Sequence, residues 1–268
     1  DRDATHMRPR VFDAFPFAGS PPELLLLECR LTELYDAVDH FIVVEATVDH
    51  QDHPKPLNYL EHECQFKPWA DKIHYVVAET LPSLAEDDGP WGREVPQREW
   101  IRLGLDELEA GPDDIVLQSD LDEIPTAVVA RNIRPAYGAY LSLQQRGHFW
   151  AIDWLYPHWW SGTVAARVGS VESFGEMRSA RNYPPFLPQP SHGWHFSWLG
   201  GPEAWSAKVG SFCHPEVESR LVNGGAERFW RDGVHVDFKQ MDPVEVDSTY
   251  PRWMQNPANI PEVWRRPR

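Results

Sequence analysis

Cysteine is nearly absent. The three that occur in 268 residues, Cys29, Cys64 and Cys213, are widely spaced and include no C-x-x-C pair, which excludes a disulfide framework and a thiolate zinc site. Such usage points to a reducing, cytoplasmic setting. No apolar run approaches the roughly 18 residues that a membrane-spanning helix needs. The first residues also lack the charged-then-apolar order of a secretory leader, and the opening DRDATHM, residues 1–7, reads as an expression scar before Met7. Basic charge is short as well: 25 Lys and Arg stand against 41 Asp and Glu, a net −16. That balance excludes a protein whose main task is to grip a nucleic acid backbone. An anionic ligand would need a local remedy, either a metal ion or a few placed arginines. No internal repeat or low-complexity tract is present.

What is there suits one soluble globular domain over residues 8–268, since 42% apolar and 25% charged residues are ordinary values and a single core commonly extends to about 250–300 residues. VFDAFPF predicts a strand, and PPELLLLECRLTELYDAVDH predicts a helix entered at Pro21 and Pro22. Leu24, Leu27, Leu31, Leu34, Tyr35 and Val38 fall on one face of that helix. HFIVVEA (40–46) and KIHYVVAE (72–79) predict strands. WGREVPQREWIRLGLDELEA predicts one helix stopped at Gly111-Pro112, and DIVLQSD predicts the next strand. This alternation implies an α/β layer architecture with a mostly parallel sheet. Beyond residue 126, a long hairpin (AYLSLQQRGHFWAIDWLY, SGTVAARVGSV) and one further helix over 202–212 predict an antiparallel, loop-rich C-terminal half.

The stretch IVLQSDLDEIP sets Asp120, Asp122 and Glu123 directly behind a buried strand. Adjacent carboxylates repel, so a cation would account for them; alternatively, one aspartate caps a following helix DEIPTAVVARNI. The spacing does not match an EF-hand, lacking its central Gly and closing Glu. No G-x-x-x-x-G-K-[ST] loop precedes it to make it a Walker B strand. A hard divalent ion, Mn2+ or Mg2+, suits oxygen donors that fill part of its shell and leave the rest to phosphates. In α/β sheets ligands gather outside the carboxyl ends of the strands, where these residues fall.

Together VFDAFPF…ELLLLECRLTELYDAVDHFIVVEATVDHQDHPKPL, PDDIVLQSDLDEIP, GWHFSWLGGPEAWSAKVGS and YPRWMQNP resemble glycosyltransferase family 17, over about residues 10–256. The resemblance implies a GT-A-like (Rossmann-like) fold, a nucleotide-sugar-binding half at 8–125 and an acceptor-binding half at 126–268. It also implies inverting transfer from a UDP-sugar, expected to be UDP-GlcNAc, to a hydroxyl of a carbohydrate or small-molecule acceptor. The Asp-x-Asp then becomes a DXD motif, with Asp122 on the metal and Asp120 touching the metal or the ribose, while Glu123 orients its neighbours.

The same resemblance offers His195 as a third metal ligand, although it can equally be a histidine packed between Trp194 and Trp198. Glu203, opening a helix after two glycines, is the expected catalytic base, with Asp153 and Glu216 behind it. A glutamate in a first helical turn also favours the macrodipole without any catalysis. Nucleotide contacts are expected from Phe15 (uracil), Glu45 (base or ribose hydroxyls) and Arg93, Gln97 and Arg98 (diphosphate); Lys55 is a lesser phosphate candidate. Trp150, Trp154, Trp159, Trp160, Trp194, Trp198 and Trp205 supply an acceptor platform or core packing. The rival class is a noncatalytic, lectin-like domain with a structural metal, which would have no reason to bind a sugar nucleotide. A nucleotidyltransferase would need a Gly-rich N-terminal phosphate loop, which VFDAFPFAGSPP does not supply.

Overall fold

The computed structural model describes residues 8–49, 53–82, 91–183, 191–211, 220–221 and 224–267. The first half is a parallel α/β unit. β1 (Val11–Phe17) leads through α1 (Pro21–Leu34) into β2 (His40–Ala46). A short α2 (Asn58–His62) and a 3-10 turn then precede β3 (Ile73–Ala78). α3 (Trp91–Glu99) and α4 (Ile101–Glu107) feed β4 (Ile115–Gln118). β1 lies parallel to both β2 and β4, and β2 parallel to β3.

Alternation along these strands divides two cores. Val11, Phe15, Phe17, Val43, Ile115 and Leu117 face α1, whereas Phe12, Ala14, Ile42, Val44 and Val116 face Ile101 and Leu105 of α4. Burial on both faces is why these strands read as nearly continuous apolar runs.

The second half adds β5 (Glu123–Pro125), α5 (Ala127–Asn132), the hairpin β6 (Leu141–Phe149) and β7 (Trp154–Arg167), α6 (Phe174–Ser179) and β8 (Gly193–Ser197). α7 (Gly201–Ser211), α8 (Gly225–Asp232) and β9 (Asp242–Pro243) follow. The sheet runs β3-β2-β1-β4-β7-β6-β8-β5, with β9 on β7. β7 pairs antiparallel with β4 and β6, so the expected α/β sheet with an antiparallel second half is what forms.

Three details differ from the sequence expectation. The single helix over 91–110 is broken at Trp100, whose N–H bonds back three residues to the Gln97 carbonyl at 3.3 Å. The helix after the acidic cluster starts only at Ala127 and is capped by the Thr126 hydroxyl, which accepts from the Val129 N–H. Neither aspartate is its cap, because β5 intervenes. α6 and α8 were not anticipated: they are short, and α6 packs against α3 at long sequence separation.

Candidate active site: an acidic loop held by arginines

β4 delivers Ser119 and Asp120 to the carboxyl end of the parallel strands, beside β1, and the chain turns at once into β5. The turn is fastened from within: the Asp120 N–H donates to Glu123 Oε2 at 2.8 Å and the Glu123 N–H to the Asp120 carbonyl at 3.1 Å. Beneath it sits Arg30 of α1, fully buried. Its guanidinium grips both Asp13 oxygens at 2.7 and 2.6 Å and donates to the carbonyls of Asp120, Leu121 and Glu123 at 2.9, 3.0 and 3.1 Å. Charge-assisted bonds to three carbonyls of one turn fix its backbone.

Further guanidiniums close on the loop from above. Asp120 pairs with Arg98 of α3 and Arg178 of α6. Glu123, wholly buried, accepts from Arg178 at 2.6 and 3.0 Å, Arg181 at 3.3 Å and the Trp160 indole at 2.8 Å. Burial by itself would raise the Asp120 carboxyl, but Arg178 and Arg98 outweigh it and hold the group well below the usual carboxylate range. Glu123 therefore ties Arg178, Arg181 and Trp160 together, and Asp120 is neutralised by protein charge.

Asp122 has different company. β5 and β8 pair Glu123 with His195, which brings the Asp122 carboxylate within 3.6 Å of His195 Nε2. Burial pushes Asp122 up and the neighbouring imidazole pulls it below its ordinary value, with Lys208 of α7 adding to the pull. The His195 ring stacks on Trp160 at 4.3 Å and meets the Phe149 edge at 5.1 Å. Trp194, its strand neighbour, points to the opposite face and joins the main core. Packing between Trp194 and Trp198 is thus not what places this histidine.

A separation of 3.6 Å is long for a hydrogen bond, yet two donors each about 2.1 Å from one divalent ion lie roughly 3 to 3.6 Å apart. Asp122 and His195 fit as two donors to such an ion, leaving its other positions to phosphate oxygens and water. The expected three-residue set with Asp120 is not assembled: among the described residues no group of three His, Cys, Asp or Glu side chains is arranged to hold a metal, because Arg98 and Arg178 claim Asp120.

The remaining candidates are scattered by role. Phe15 is fully buried with the Arg30 guanidinium 4.4 Å over its ring, so no face is left for a base. Glu45 is equally buried, and both its oxygens are engaged: Lys55 at 2.6 Å and the Asn58 N–H at 2.8 Å on one, the Tyr59 N–H at 3.0 Å and the Tyr75 hydroxyl at 2.9 Å on the other. Lys55 is accordingly spent on Glu45. Arg93 and Gln97 are buried on α3, reaching the Asp49 carbonyl at 3.5 Å and the Val44 carbonyl at 3.4 Å. Of the α3 trio, Arg98 bonds to the acidic loop, at Asp120 and the Ser119 carbonyl.

Glu203 lies exposed in the first turn of α7. Asp153 is buried and accepts the Arg266 N–H at 2.7 Å, and Glu216 lies outside the described residues. The glycines before Glu203 serve the backbone: Gly200 and Gly201 have φ of 108° and 80°, and a Cβ on Gly200 would also meet Pro22 at 2.5 Å. Trp150 and Trp205 are core residues, whereas Trp159 is 45% exposed and Trp160 lines the site.

Sequence reasoning missed Arg30, Arg178 and Arg181, and it offered Trp160 only as an acceptor platform or core residue, not as the ring that stacks on His195 and donates to Glu123. Arg30 and Arg178 each sit in an amphipathic helix at a buried position, an uncommon place for a charge and the one signal that could have exposed them.

The domain is thus an α/β unit whose acidic loop, at the strand ends, is tied down by arginines and carries an Asp–His pair. The family model Glycosyltransferase family 17 matches residues 2–216, and the chain belongs to that family. It is 26% identical over 268 residues to the beta-1,4-mannosyl-glycoprotein 4-beta-N-acetylglucosaminyltransferase of Rattus norvegicus, covering 83% of this chain and 49% of the relative. The Homo sapiens protein of the same name is 26% identical over 267 residues, with the same coverage. The chain thus spans about half the length of the curated relatives it matches. Among solved structures, the mannosyltransferase PcManGT from Pyrobaculum calidifontis in complex with GDP-Man and Mn2+ aligns at 15% identity and a TM-score of 0.42, covering 83% of this chain and 70% of that one. The galactosyltransferase LgtC with donor and acceptor sugar analogs aligns at 12% identity and a TM-score of 0.37, covering 76% and 81%. Among the described residues no helix is long and apolar enough to cross a membrane.

Proposed function

We propose that the protein is an inverting, divalent-metal-dependent glycosyltransferase that moves N-acetylglucosamine from UDP-GlcNAc to a hydroxyl of a carbohydrate or small-molecule acceptor. The observation that carries the reading is the Asp122–His195 pair beside the Arg98–Arg178–Arg181 cluster, on a loop made rigid by Arg30. The relatives' name supports the sugar, and the family supports the reaction class. Asp122 and His195 would hold the cation, which neutralises charge as the diphosphate departs. Arg98, Arg178 and Arg181 provide fork-shaped donors for phosphate oxygens, and Asp120 and Glu123 hold those forks in place. Trp160, stacked on His195, keeps water from that side of the site, and Trp159 offers an exposed face for an acceptor ring.

A thermal-shift panel of nucleotide sugars with and without Mn2+, followed by an assay for nucleotide release, tests this. UDP-GlcNAc is expected to stabilise the protein in an Mn2+-dependent manner that Asp122→Asn abolishes. Indifference to every nucleotide sugar would sink the reading and favour the lectin-like alternative.

A further inference from the structure

Beyond the donor site lies a second set of chemistry-bearing side chains, on the turn that follows α8. We propose that the imidazole of His235, oriented by Asp237, is the general base that takes the proton of the acceptor hydroxyl; this rests on the transferase reading above.

His235 Nδ1 lies 2.7 Å from Asp237 Oδ1, and the Tyr156 hydroxyl donates to Asp237 Oδ2 at 2.7 Å. The Asp237 N–H is also 3.3 Å from Nδ1, but the shorter contact to the carboxylate decides the tautomer: Nδ1 carries the hydrogen. The Nε2 lone pair is then free, and it has no hydrogen-bond partner among the described residues. A carboxylate fixing one ring nitrogen so that the other can accept a proton is the arrangement of an oriented general base.

The turn itself is rigid. The His235 N–H bonds to the Lys239 carbonyl at 2.8 Å, the Lys239 N–H to Asp237 Oδ1 at 3.1 Å, and Phe238 adopts a left-handed backbone with φ of 66°. The ring is buried against Phe149 at 4.2 Å and Tyr156 at 4.6 Å. Phe149 in turn abuts His195 on its other side, so His235 stands one aromatic ring away from the donor site, on the acceptor half of the sheet. Burial lowers the imidazole's affinity for a proton despite the opposing pull of Asp237, which keeps it neutral near pH 7. The charged and titratable groups facing it are Asp237 on its own turn, Tyr156 on β7 and His195 on β8. Glu203, the carboxylate suggested by sequence, is by contrast exposed to solvent.

In the step, the acceptor oxygen bonds to the anomeric carbon while the bond from that carbon to the β-phosphate oxygen breaks. The electron pair leaves with the diphosphate, and the acceptor proton passes to Nε2. Asp237 stabilises the imidazolium until it returns its proton to solvent.

The test uses UDP-GlcNAc and Mn2+ with water as the acceptor, reading UDP release and, separately, donor binding by calorimetry. His235→Gln is expected to lower release about 100-fold or more with donor affinity unchanged. Tyr156→Phe, which keeps the ring and the fold, strips a hydrogen bond from Asp237, makes it a stronger partner for the imidazolium, and moves the acid limb of the rate to higher pH. Release at the wild-type rate by His235→Gln, or an unmoved acid limb in Tyr156→Phe, overturns the proposal, as does a loss confined to Glu203→Gln. Failure of the wild-type protein to bind UDP-GlcNAc at all is a different result: it removes the transferase reading, and this inference with it.

Discussion

Arg30 and Asp13 form a fully buried ion pair, and the same guanidinium that neutralises Asp13 also carries the backbone of the acidic loop. The pair therefore has two separable duties. Arg30→Met leaves a carboxylate unpaired in the core and is expected to cost about 3–5 kcal/mol, measured by urea unfolding. Adding Asp13→Leu removes the stranded charge and should recover much of that stability. It should not recover UDP-sugar binding, because the carbonyls of Asp120, Leu121 and Glu123 still lack their donor. Recovery of both together would show that Arg30 serves the core alone.

Asp120 and Asp122 are two residues apart and should respond oppositely. Asp120→Asn removes the carboxylate that separates the Arg98 and Arg178 guanidiniums, leaving like charges facing one another in a buried setting. A loss of about 2–3 kcal/mol is expected in thermal or urea unfolding. Asp122→Asn should cost less stability than Asp120→Asn, since what it loses is the pull of His195 and Lys208 on its charge, and should abolish the Mn2+ dependence of donor binding. A stable Asp120→Asn protein that has lost Mn2+ dependence would return Asp120 to the metal.

The boundary between what sequence reveals and what it hides follows from range. β1, α1 and β2 were legible because their signals are local: Pro21 and Pro22 open the helix, Glu23 closes a capping box on Ser20, and HFIVVEA spans β2 residue for residue. The acidic loop was legible because its residues are consecutive. Its arginine partners were not, since Arg30 and Arg178 approach it from opposite sides of the chain order, and only the β4–β7 and β1–β4 pairings bring α1 and α6 to the same strand end. The roles expected of Phe15 and Glu45 read strand-end position correctly but not burial: a residue at the end of a strand can be capped by its own chain, as Glu45 is by α2.

That capping makes Glu45 informative. Each of its oxygens accepts from two protein donors, so Glu45→Gln turns one acceptor into a donor that faces donors and withdraws the charge opposite Lys55. A destabilisation of about 2–4 kcal/mol is expected from the broken network. Donor affinity, measured on the folded fraction, should change less than about threefold, roughly 0.7 kcal/mol. A tenfold loss of affinity in a protein of normal stability would instead place Glu45 against the nucleotide.

His148 governs acid sensitivity. Its ring is buried on β6 between Phe196 at 5.2 Å and Tyr250 at 5.3 Å, Nδ1 has no hydrogen-bond partner among the described residues, and burial pushes it down to about 3. In the unfolded chain it titrates at about 6.5. Between those values the unfolded state binds a proton that the folded state refuses, so stability falls as pH drops below about 6.5 and stops falling, for this group, near 3. The full span corresponds to a few kcal/mol at 1.36 kcal/mol per pH unit. Asp122, whose folded value is lowered, adds a loss that begins only below the ordinary carboxylate range, so the two are separable by pH. His148→Phe should flatten the slope of unfolding free energy between pH 6.5 and about 4 and leave the carboxylate-driven loss below it. An unchanged slope in that variant would assign the acid sensitivity to other histidines.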